Sequence, residues 1–588
     1  MLTIQFQPTN AGKQLDVTAE HLNRVYDLLE RFIEETTPQG ALAYEYDPLS
    51  NLTTLTLPTG QHLNHLYYGS GHRHQLNLDG LLISDMERDD LHREVYRTQG
   101  KLTSCFGYDA MGRKSWQFAS KIPGEKLSQI HNPGNNSLLI DHAYNPIHRR
   151  YQYDPAGELT RTLDKLSGEI KYEYEANGQL HSRDTGRLVD SEEFRYDAAA
   201  NRLNFNTSQF DHVKDNRIRH WRDKEYAYDA WGNLIEKRSG LTKLQTFTYD
   251  CENRLVRAET MVNSQVHSVG TYRYDSLGRR VGKTSEIAGQ TEHKQFLWQG
   301  LRLLREETPA QSSLYIYEPG SYAPLARVDQ NEGGPEQKLY YFHTDQIGTP
   351  LEMTDVDGQI VWQATYKAWG EIESLAVSEI EQNLRFQGQY FDEETGLHYN
   401  TFRYYDPEIG RFITQDPIGL DGGTNFYGYC NNPVAWIDPL GLDWNYFLSD
   451  AKGDVFYHGR ASDNASLSDV MRRHEGKVGA DGPRLASGDS ITQVTAKGTS
   501  YDTVRGIESS GIRERQVLGR GSANVRGNKI QGISEAKLST RVGAERMSAA
   551  STYLEAKGAS KVSALPGIET RKSSNIAGKP ANVKGATC

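Results

Sequence analysis

The chain has 588 residues, more than one ordinary domain needs, and its 54 Gly and 34 Tyr stand out. This composition favours many short strands joined by turns, and so many aromatic residues exclude a disordered chain. No continuous apolar run is long enough to cross a bilayer, so the sequence predicts no membrane span.

The formal net charge of −11 is unevenly divided along the chain. Residues 1–442 carry 44 Lys and Arg against 62 Asp and Glu, a net of −18, whereas residues 443–588 carry 22 against 15, a net of +7. A change of sign at one point indicates two functional parts. The basic part could meet an anionic partner such as nucleic acid.

The four cysteines, Cys105, Cys251, Cys430 and Cys588, lie far apart in the sequence. Their spacing fits neither a zinc site nor a disulfide framework, so we expect free thiols in a reducing compartment. No signal-peptide pattern opens the chain. A protein of this kind that leaves the cell would need a dedicated export machine.

The segment 1–40 contains a stretch that resembles no other part of the chain. Residues 18–36 place seven apolar side chains at helical spacing after an acidic first turn. This pattern predicts an amphipathic helix, which would pack on the rest of the molecule or serve as a plug or a homodimer contact. Its apolar positions are Leu22, Val25, Tyr26, Leu28, Leu29, Phe32 and Ile33.

A Tyr-Asp motif recurs through the next 300 or so residues, and the spacings within two runs of copies, 153→174→196 and 228→249→274, are 21, 22, 21 and 25 residues. Each copy has an aromatic residue before Tyr-Asp, which is Tyr-Glu in the copy at Tyr172–Leu180, and small or polar residues with Gly or Asn after it. Alternating aromatic and polar residues suit a half-buried strand, and the residues after Asp suit a turn, so each repeat predicts a hairpin. The copies stand at Tyr44–Leu52, Tyr151–Leu159, Tyr172–Leu180, Phe194–Leu203, Tyr226–Leu234, Phe247–Leu255 and Tyr272–Arg280.

These repeats resemble those of Rhs/YD-repeat proteins, and the segment Tyr340–Leu442 is similar to the core domain of that family. The resemblance implies a mainly β architecture, a cocoon-like YD-repeat shell around a small α/β C-terminal toxin. The implied parts are repeats in 41–339, a core in 340–442 and a toxin in 443–588. An open β-solenoid used for adhesion is the alternative.

Two DPxGL elements, Asp416–Leu420 and Asp438–Leu442, close the core segment. Two carboxyls held close together cannot easily both ionise, so one could activate water while the other protonates a peptide. Asp-Pro pairs are also ordinary turn formers.

The family resemblance favours the catalytic interpretation of this pair. It implies an aspartyl self-cleavage by Asp416 and Asp438, without a cofactor, between Leu442 and Asp443. It also implies that Arg403 supports a carboxylate or the scissile carbonyl. The predicted cleavage point coincides with the change in charge.

The 146 residues after this point have the size of a small domain. They predict two short strands around a turn at Asp450–Gly453, then a helix, a strand and a second helix. The predicted helices cover Ser466–Lys477 and Thr499–Glu514, and the strand between them covers Ile491–Ala496.

This order resembles a GIY-YIG nuclease, in which tyrosines, an arginine, a histidine, an asparagine and one metal-binding glutamate form the site. The metal would be Mg²⁺ or another divalent ion bound by Glu508, and DNA would be the substrate. The implied toxin residues are Tyr446, Tyr457, Arg472 or Arg473, His474 and Asn528. Strand packing and solvated basic helix faces would explain the same residues.

The sequence is also compatible with other activities of the C-terminal part. An NAD-dependent ADP-ribosyltransferase or a ribonuclease would suit the same carrier, and an inert tail would suit an adhesin. A zinc deaminase is disfavoured because no Cys-x-x-Cys occurs, and a papain-like protease because the payload's only cysteine is Cys588.

The resemblance also implies a place and partners for the protein. It implies an antibacterial effector secreted without a signal peptide, through type VI secretion, whose toxin acts in the target-cell cytoplasm. The implied partners are a cognate immunity protein and spike or chaperone proteins of the secretion machine.

Overall fold

The computed structural model describes residues 2–5, 21–69, 71–130, 140–203, 213–332, 334, 336–417, 425–430, 432–439, 443–449, 455–462, 478–479, 482–483, 490–493 and 569–572. The chain forms two compact units, one of residues 1–413 with 429–439 and one of residues 414–428 with 440–588. In the described part of the chain, no helix is long and apolar enough to cross a membrane.

The first unit opens with a 16-stranded antiparallel sheet whose strands lie side by side in chain order. Its strands are β1 (Leu2–Gln5), β2 (His21–Tyr26), β3 (Phe32–Thr37), β4 (Gly40–Tyr46), β5 (Leu52–Thr56), β6 (His62–Tyr68), β7 (His72–Leu78), β8 (Leu81–Arg88), β9 (Glu94–Gln99), β10 (Leu102–Tyr108), β11 (Lys114–Ser120), β12 (Ile147–Tyr153), β13 (Leu159–Asp164), β14 (Gly168–Tyr174), β15 (Leu180–Asp184) and β16 (Glu192–Glu193). A short helix, α1 (Gly124–Ile130), follows β11.

A second sheet of 15 strands repeats the arrangement, after two short pairs, β17 (Arg195–Tyr196) with β18 (Arg202–Leu203) and β19 (Val213–Lys214) with β20 (Arg217–Ile218). Its strands are β21 (His220–Trp221), β22 (Lys224–Tyr228), β23 (Leu234–Ser239), β24 (Lys243–Tyr249), β25 (Leu255–Val262), β26 (Gln265–Tyr274), β27 (Arg280–Ile287), β28 (Gln290–Gln299), β29 (Arg302–Glu307), β30 (Gln311–Tyr317), β31 (Pro324–Asn331), β32 (Gln337–Thr344), β33 (Pro350–Thr354), β34 (Ile360–Tyr366) and β35 (Ile372–Ser378). The predicted mainly β architecture, with hairpins at the Tyr-Asp motifs, is confirmed.

The tyrosine of the motif ties each repeat to the one before it. Its hydroxyl donates a hydrogen bond to a main-chain carbonyl 14 or more residues earlier, as Tyr174 does to Leu159 at 2.6 Å. The ring can therefore pack within the sheet while its hydroxyl keeps a partner. The same contact is made by Tyr46, Tyr67, Tyr108, Tyr153, Tyr196, Tyr249, Tyr274 and Tyr317.

The aspartate of the motif closes the turn that follows. In one repeat, Asp109 Oδ1 accepts the main-chain N–H groups of Met111 and Arg113 at 2.9 Å, and Oδ2 accepts the Arg113 guanidinium at 2.7 Å. Gly112, three residues after the aspartate, has a φ of +79°. A left-handed backbone at this place explains the Gly or Asn in the motif.

The predicted helix over residues 18–36 is wrong. Within the described part of this stretch, β2 and β3 form a hairpin in which Tyr26 lies opposite Phe32. Asp27 accepts the N–H groups of Leu29 and Arg31 at 2.9 Å, which is the turn of the other repeats. Residues 26–31 are therefore a further Tyr-Asp motif, and the repeats begin before residue 41.

A small buried sheet follows the second large sheet and packs on it. Its strands are β36 (Tyr390–Asp392), β37 (Leu397–Asn400), β38 (Arg403–Asp406) and β39 (Arg411–Phe412). Buried ion pairs join this core sheet to the second large sheet. Asp406 lies 2.6 Å from Lys237 of β23, and Asp392 lies 2.8 Å from Lys283 of β27.

Side chains of the first large sheet reach the second at successive positions along both. Arg73 and Gln99 donate to the main-chain carbonyls of Tyr317 and Leu325 at 3.3 and 3.2 Å. Farther along, Arg149 forms a buried ion pair with Glu352. Leucines of both sheets share one apolar cluster, so the two sheets face each other within this unit.

In the second unit, the described part contains a four-stranded antiparallel sheet in the order β41-β40-β44-β45. Its strands are β40 (Asp443–Ser449), β41 (Val455–Ser462), β44 (Ser490–Gln493) and β45 (Glu569–Lys572), and β42 (Val478–Gly479) pairs with β43 (Gly482–Pro483). The predicted hairpin around residues 450–453 and the predicted strand at Ile491 are confirmed. The predicted helices lie outside the described residues.

Candidate self-cleavage site

The hairpin of β37 and β38 holds Arg403 in the interior of the first unit. Asn400 and Arg403 are directly opposite each other at the end of this hairpin, and Thr401 has a φ of +51° in the tight connection. Both side chains are buried, and the Arg403 guanidinium carbon lies 3.6 Å from the centre of the Phe412 ring. Packing on a ring fixes the direction of a long side chain that is otherwise costly to order.

Arg403 and Asn400 both contact Asp438. Arg403 Nη2 lies 3.4 Å from Asp438 Oδ2, and Asn400 Nδ2 donates to the main-chain carbonyl of Asp438 at 2.9 Å. The structure thus brings Arg403 beside one of the two predicted carboxyls. The separation is longer than the usual ~2.7–2.9 Å of a charge-assisted bond. The carboxylate is therefore attracted to the cation without being locked to it.

The residue after Asp438 is held by a close backbone approach. Gly388 has a φ of +82°, and a side-chain carbon placed on it would lie 2.7 Å from the Pro439 carbonyl oxygen. Both the positive φ and the close approach of the Pro439 carbonyl require glycine at this position. The main chain at Asp438 is thus held by its own carbonyl and by its neighbour Pro439, while its carboxylate is attracted to Arg403.

A cysteine lies near this aspartate but is unsuited to nucleophilic chemistry. Burial raises the pKa of the Cys430 thiol well above its ordinary value, and the negative charge of Asp438 adds to this effect. The thiolate is the reactive form of cysteine. Cys430 therefore stays a thiol at neutral pH, and the carboxyl group is the reactive candidate at this place.

Asp416, the other predicted carboxyl, lies in the second compact unit. Its side chain is buried, and its main-chain N–H donates to the carbonyl of Phe426 at 2.8 Å. Its pairing with Asp438 stays a prediction. Leu442 lies outside the described residues, and Asp443 is the first residue of β40.

The predicted toxin residues are described only in part. Tyr446 lies on β40 opposite Gly459, and Tyr457 lies on β41 opposite Leu448, so the structure brings both tyrosines onto paired strands. The other predicted toxin residues, Arg472, Arg473, His474, Glu508 and Asn528, lie outside the described residues. Among the residues that the structure does describe, no group of three His, Cys, Asp or Glu side chains could hold a metal.

Sequence reasoning missed two residues of this site, Asn400 and Gly388. Both stand inside the core stretch that the sequence marks as dense in motif. The usable signals were a glycine between two polar glutamines and an asparagine three residues before Arg403. Neither signal identifies Asp438 as the partner, because Asn400 and Asp438 are 38 residues apart in the chain.

Known proteins agree with this fold. Residues 158–425 match the family model described as Teneurin YD-shell. Among solved structures, the crystal structure of TcdB2-TccC3-TEV matches with a TM-score of 0.51 and 18% identity, covering 75% of this chain and 25% of that one. The similarity at this low identity supports the β-shell fold.

Curated relatives carry different toxin names. The double-stranded DNA deaminase toxin A of Burkholderia cenocepacia is 40% identical over 472 residues, which is 76% of this chain and 32% of that protein. The probable deoxyribonuclease RhsA of Dickeya dadantii is 28% identical over 487 residues, 78% of this chain and 32% of that protein. The chain thus spans about a third of the length of these relatives. By its repeats, its fold and its relatives, the chain is an Rhs/YD-repeat protein related to bacterial toxins.

Proposed function

We propose that the chain is an antibacterial Rhs effector that cuts itself between Leu442 and Asp443 and releases residues 443–588 as a metal-dependent nuclease. The observation that carries the first half is the contact of Arg403 and Asn400 with Asp438, a few residues before the proposed bond. The change of net charge from −18 to +7 at the same point supports a separate function for the released part.

The proposed cleavage is a hydrolysis by two carboxyl groups. One of Asp416 and Asp438, as carboxylate, takes a proton from a water that attacks the Leu442 carbonyl carbon. The other, as the acid, gives its proton to the Asp443 nitrogen as the C–N bond breaks. The products are a carboxyl group on Leu442 and an amine on Asp443. Arg403 lies beside Asp438 and stabilises the negative charge that the reaction requires at this place.

For the released part, a nuclease is the activity that we favour. Residues 443–588 are basic, which suits a phosphate backbone, and a relative is named a probable deoxyribonuclease. The relative named a deaminase points elsewhere, but zinc deaminases use a cysteine pair and residues 443–588 contain only Cys588. Glu508 is the proposed ligand of a divalent ion, which would supply charge stabilisation at phosphorus.

The proposal places the effector outside the producing cell and its toxin in the cytoplasm of the target cell. It requires an immunity protein in the producer and carrier proteins of a type VI secretion machine. An adhesin would need neither, and its chain would stay intact.

Mass spectrometry of the denatured protein tests the proposed self-cleavage. We expect wild type to give a fragment that begins at Asp443, and Asp438→Asn to stay at full length because an amide cannot act as acid or base. Asp329→Asn is the matched control, since Asp329 also pairs with an arginine, Arg327 at 2.6 Å, but lies in β31. This control should cleave normally. Cleavage of Asp438→Asn at the wild-type rate would remove Asp438 from the mechanism.

Incubation with plasmid tests the second half. The released fragment should cut DNA with Mg²⁺ and fail with EDTA, and Glu508→Ala should abolish cutting while self-cleavage stays normal. If self-cleavage is correct but the DNA stays intact in every condition, the released part would instead be an NAD-dependent or an RNA-cutting toxin.

A further inference from the structure

The segment 432–439, which carries Asp438, is fastened by two side-chain hydrogen bonds to distant parts of the same unit. Asn432 Nδ2 donates to Glu158 Oε2 at 2.6 Å across 274 residues of chain. Gln346 Nε2 donates to the main-chain carbonyl of Val434 at 2.8 Å. Neither partner belongs to the core sheet that holds Arg403.

Glu158 departs from the pattern of its own repeat. In most turns, the residue four after the aspartate is Arg or Asn, and its side chain bonds that aspartate, as Arg113 does with Asp109 and Asn51 with Asp47. Glu158 takes this place after Asp154, where it cannot serve as a donor to the carboxylate. Its carboxylate is instead the acceptor for Asn432. The residue at this turn position that does not bond its own aspartate thus contacts the segment that carries Asp438.

Gln346 is the second turn residue with this role. It follows Asp345, whose carboxylate accepts the N–H groups of Ile347 and Thr349 at 3.0 and 2.8 Å. The turn is therefore closed by its own aspartate. The Gln346 amide is available to reach outwards, and it meets Val434.

A cavity of about 100 Å³ with both polar and apolar walls lies beside Pro433 and Val434, and Gln346 is part of its wall. Four buried polar atoms in its lining have no hydrogen-bond partner in the structure, namely Arg149 Nη1, Tyr151 OH, Thr349 Oγ1 and Tyr366 OH. A roomy cavity with such atoms accommodates water. Val434 also packs against the apolar cluster that contains Ala368 and Trp369. The two hydrogen bonds add direction to this packing and so help to determine where the segment lies.

We propose that Glu158, Gln346 and Asn432 are positioning residues for the self-cleavage reaction. They hold the segment 432–439 so that Asp438 meets Arg403, and they make cleavage depend on a side chain from an early repeat. This inference rests on the proposed self-cleavage. Catalysis by positioned groups is sensitive to displacements of about 1 Å, so loss of one anchor should slow the reaction about 10- to 100-fold.

A swap of the hydrogen-bonding pair tests the role of geometry. Asn432→Asp removes the donor and places a carboxylate against Glu158, so cleavage should slow by about this factor. Adding Glu158→Gln restores an amide–carboxylate hydrogen bond with the roles reversed, and the rate should return close to wild type. Asn51→Asp is the matched control, because it places the same charge against Asp47 in a turn that lies in an early repeat. It should cleave at the wild-type rate.

The rates come from the appearance of the fragment that starts at Asp443 after synthesis of the full chain, with melting temperatures measured in parallel. Gln346→Glu, which keeps the shape but loses the donor, should also be slow. The proposal is overturned if Asn432→Asp and Gln346→Glu cleave as fast as wild type, or if the swapped pair regains the wild-type melting temperature without regaining the rate. An uncut wild-type chain would instead overturn the proposed self-cleavage itself.

Discussion

The turns of the repeats and the buried core sheet use the same Tyr-Asp pair in different ways. In a repeat turn, the Asp109 carboxylate accepts hydrogen bonds from residues two and four positions ahead, at 2.7–2.9 Å. In the core sheet, Asp406 pairs at 2.6 Å with Lys237, which lies 169 residues earlier. A repeat turn is thus stable by local contacts, whereas the core sheet depends on charges that only the completed fold brings together.

Asp392 gives the sharpest test of this difference. It is fully buried between Arg280 at 2.5 Å and Lys283 at 2.8 Å. Burial alone would raise the pKa of Asp392, but the two cations hold it below its ordinary value. Asp392→Ala would remove the carboxylate from buried Arg280 and leave Lys283 with Glu394 at 2.8 Å, so the free energy of unfolding should fall by about 3–5 kcal/mol. Urea unfolding followed by tryptophan fluorescence measures this.

The repeat-turn variant Asp109→Ala is the comparison for that experiment. It removes one turn-closing carboxylate that is partly solvated, and a loss of about 1 kcal/mol is expected, as for a helix cap. Equal losses in the two variants would show that the core sheet is no more dependent on its buried charges than a surface turn is.

Acidification provides the second test, through buried neutral histidines. Burial and, to a smaller extent, nearby arginines lower the pKa of His65 and of His343 to about 3, and burial places the pKa of His398 well below its ordinary value. A histidine whose pKa is depressed by folding favours the folded state above the unfolded pKa near ~6.5. That stability is lost as the pH falls below this value.

Each such histidine contributes a slope of at most about 1.4 kcal/mol per pH unit in this window. Unfolding measured at about pH 7 and about pH 5.5 should therefore show a clear loss of stability. His398→Gln should reduce the loss by the contribution of this one histidine. A pH dependence of stability identical in this variant and in wild type would contradict neutral burial of His398.

The difference between the two regions also explains what the sequence could predict. The hairpins were predictable because the strand, the turn aspartate and the left-handed residue all lie within about ten residues of each other. The false helix at residues 18–36 shows the weakness of this reasoning. Val25, Leu28, Leu29 and Phe32 happen to have helical spacing, and only the Tyr26-Asp27 pair and Arg31, four residues after the aspartate, reveal the turn.

The candidate site was predictable only as far as its motif extends. Asp438 and Arg403 stand in recognisable stretches, and the structure brings them to 3.4 Å. Glu158 and Gln346 could not be assigned to the site from the sequence, because their contacts with residues 432 and 434 span 274 and 88 residues. Side chains that act across two sheets leave no local pattern in the sequence.

The smallest expected change in stability concerns the third residue after the motif aspartate. Substitutions at this position allow one repeat turn to be compared with another. Gly112 has a φ of +79° with nothing near the place of a side-chain carbon, whereas Ala200 has a φ of +61° at the equivalent position. A left-handed conformation costs a residue other than glycine about 1–2 kcal/mol. Gly112→Ala should therefore lower the free energy of unfolding by about 1 kcal/mol without a steric clash.

The reverse change, Ala200→Gly, should raise the free energy of unfolding by less than this. Glycine relieves the strained backbone but loses more conformational entropy on folding, which offsets part of the gain. Thermal unfolding of both variants beside wild type gives the two values. Opposite signs would establish that the backbone conformation alone selects Gly or Asn here. A loss in both variants would mean that the side chain of Ala200 contributes packing that outweighs its strain, and the turns would then differ by their contacts as well as by their backbone.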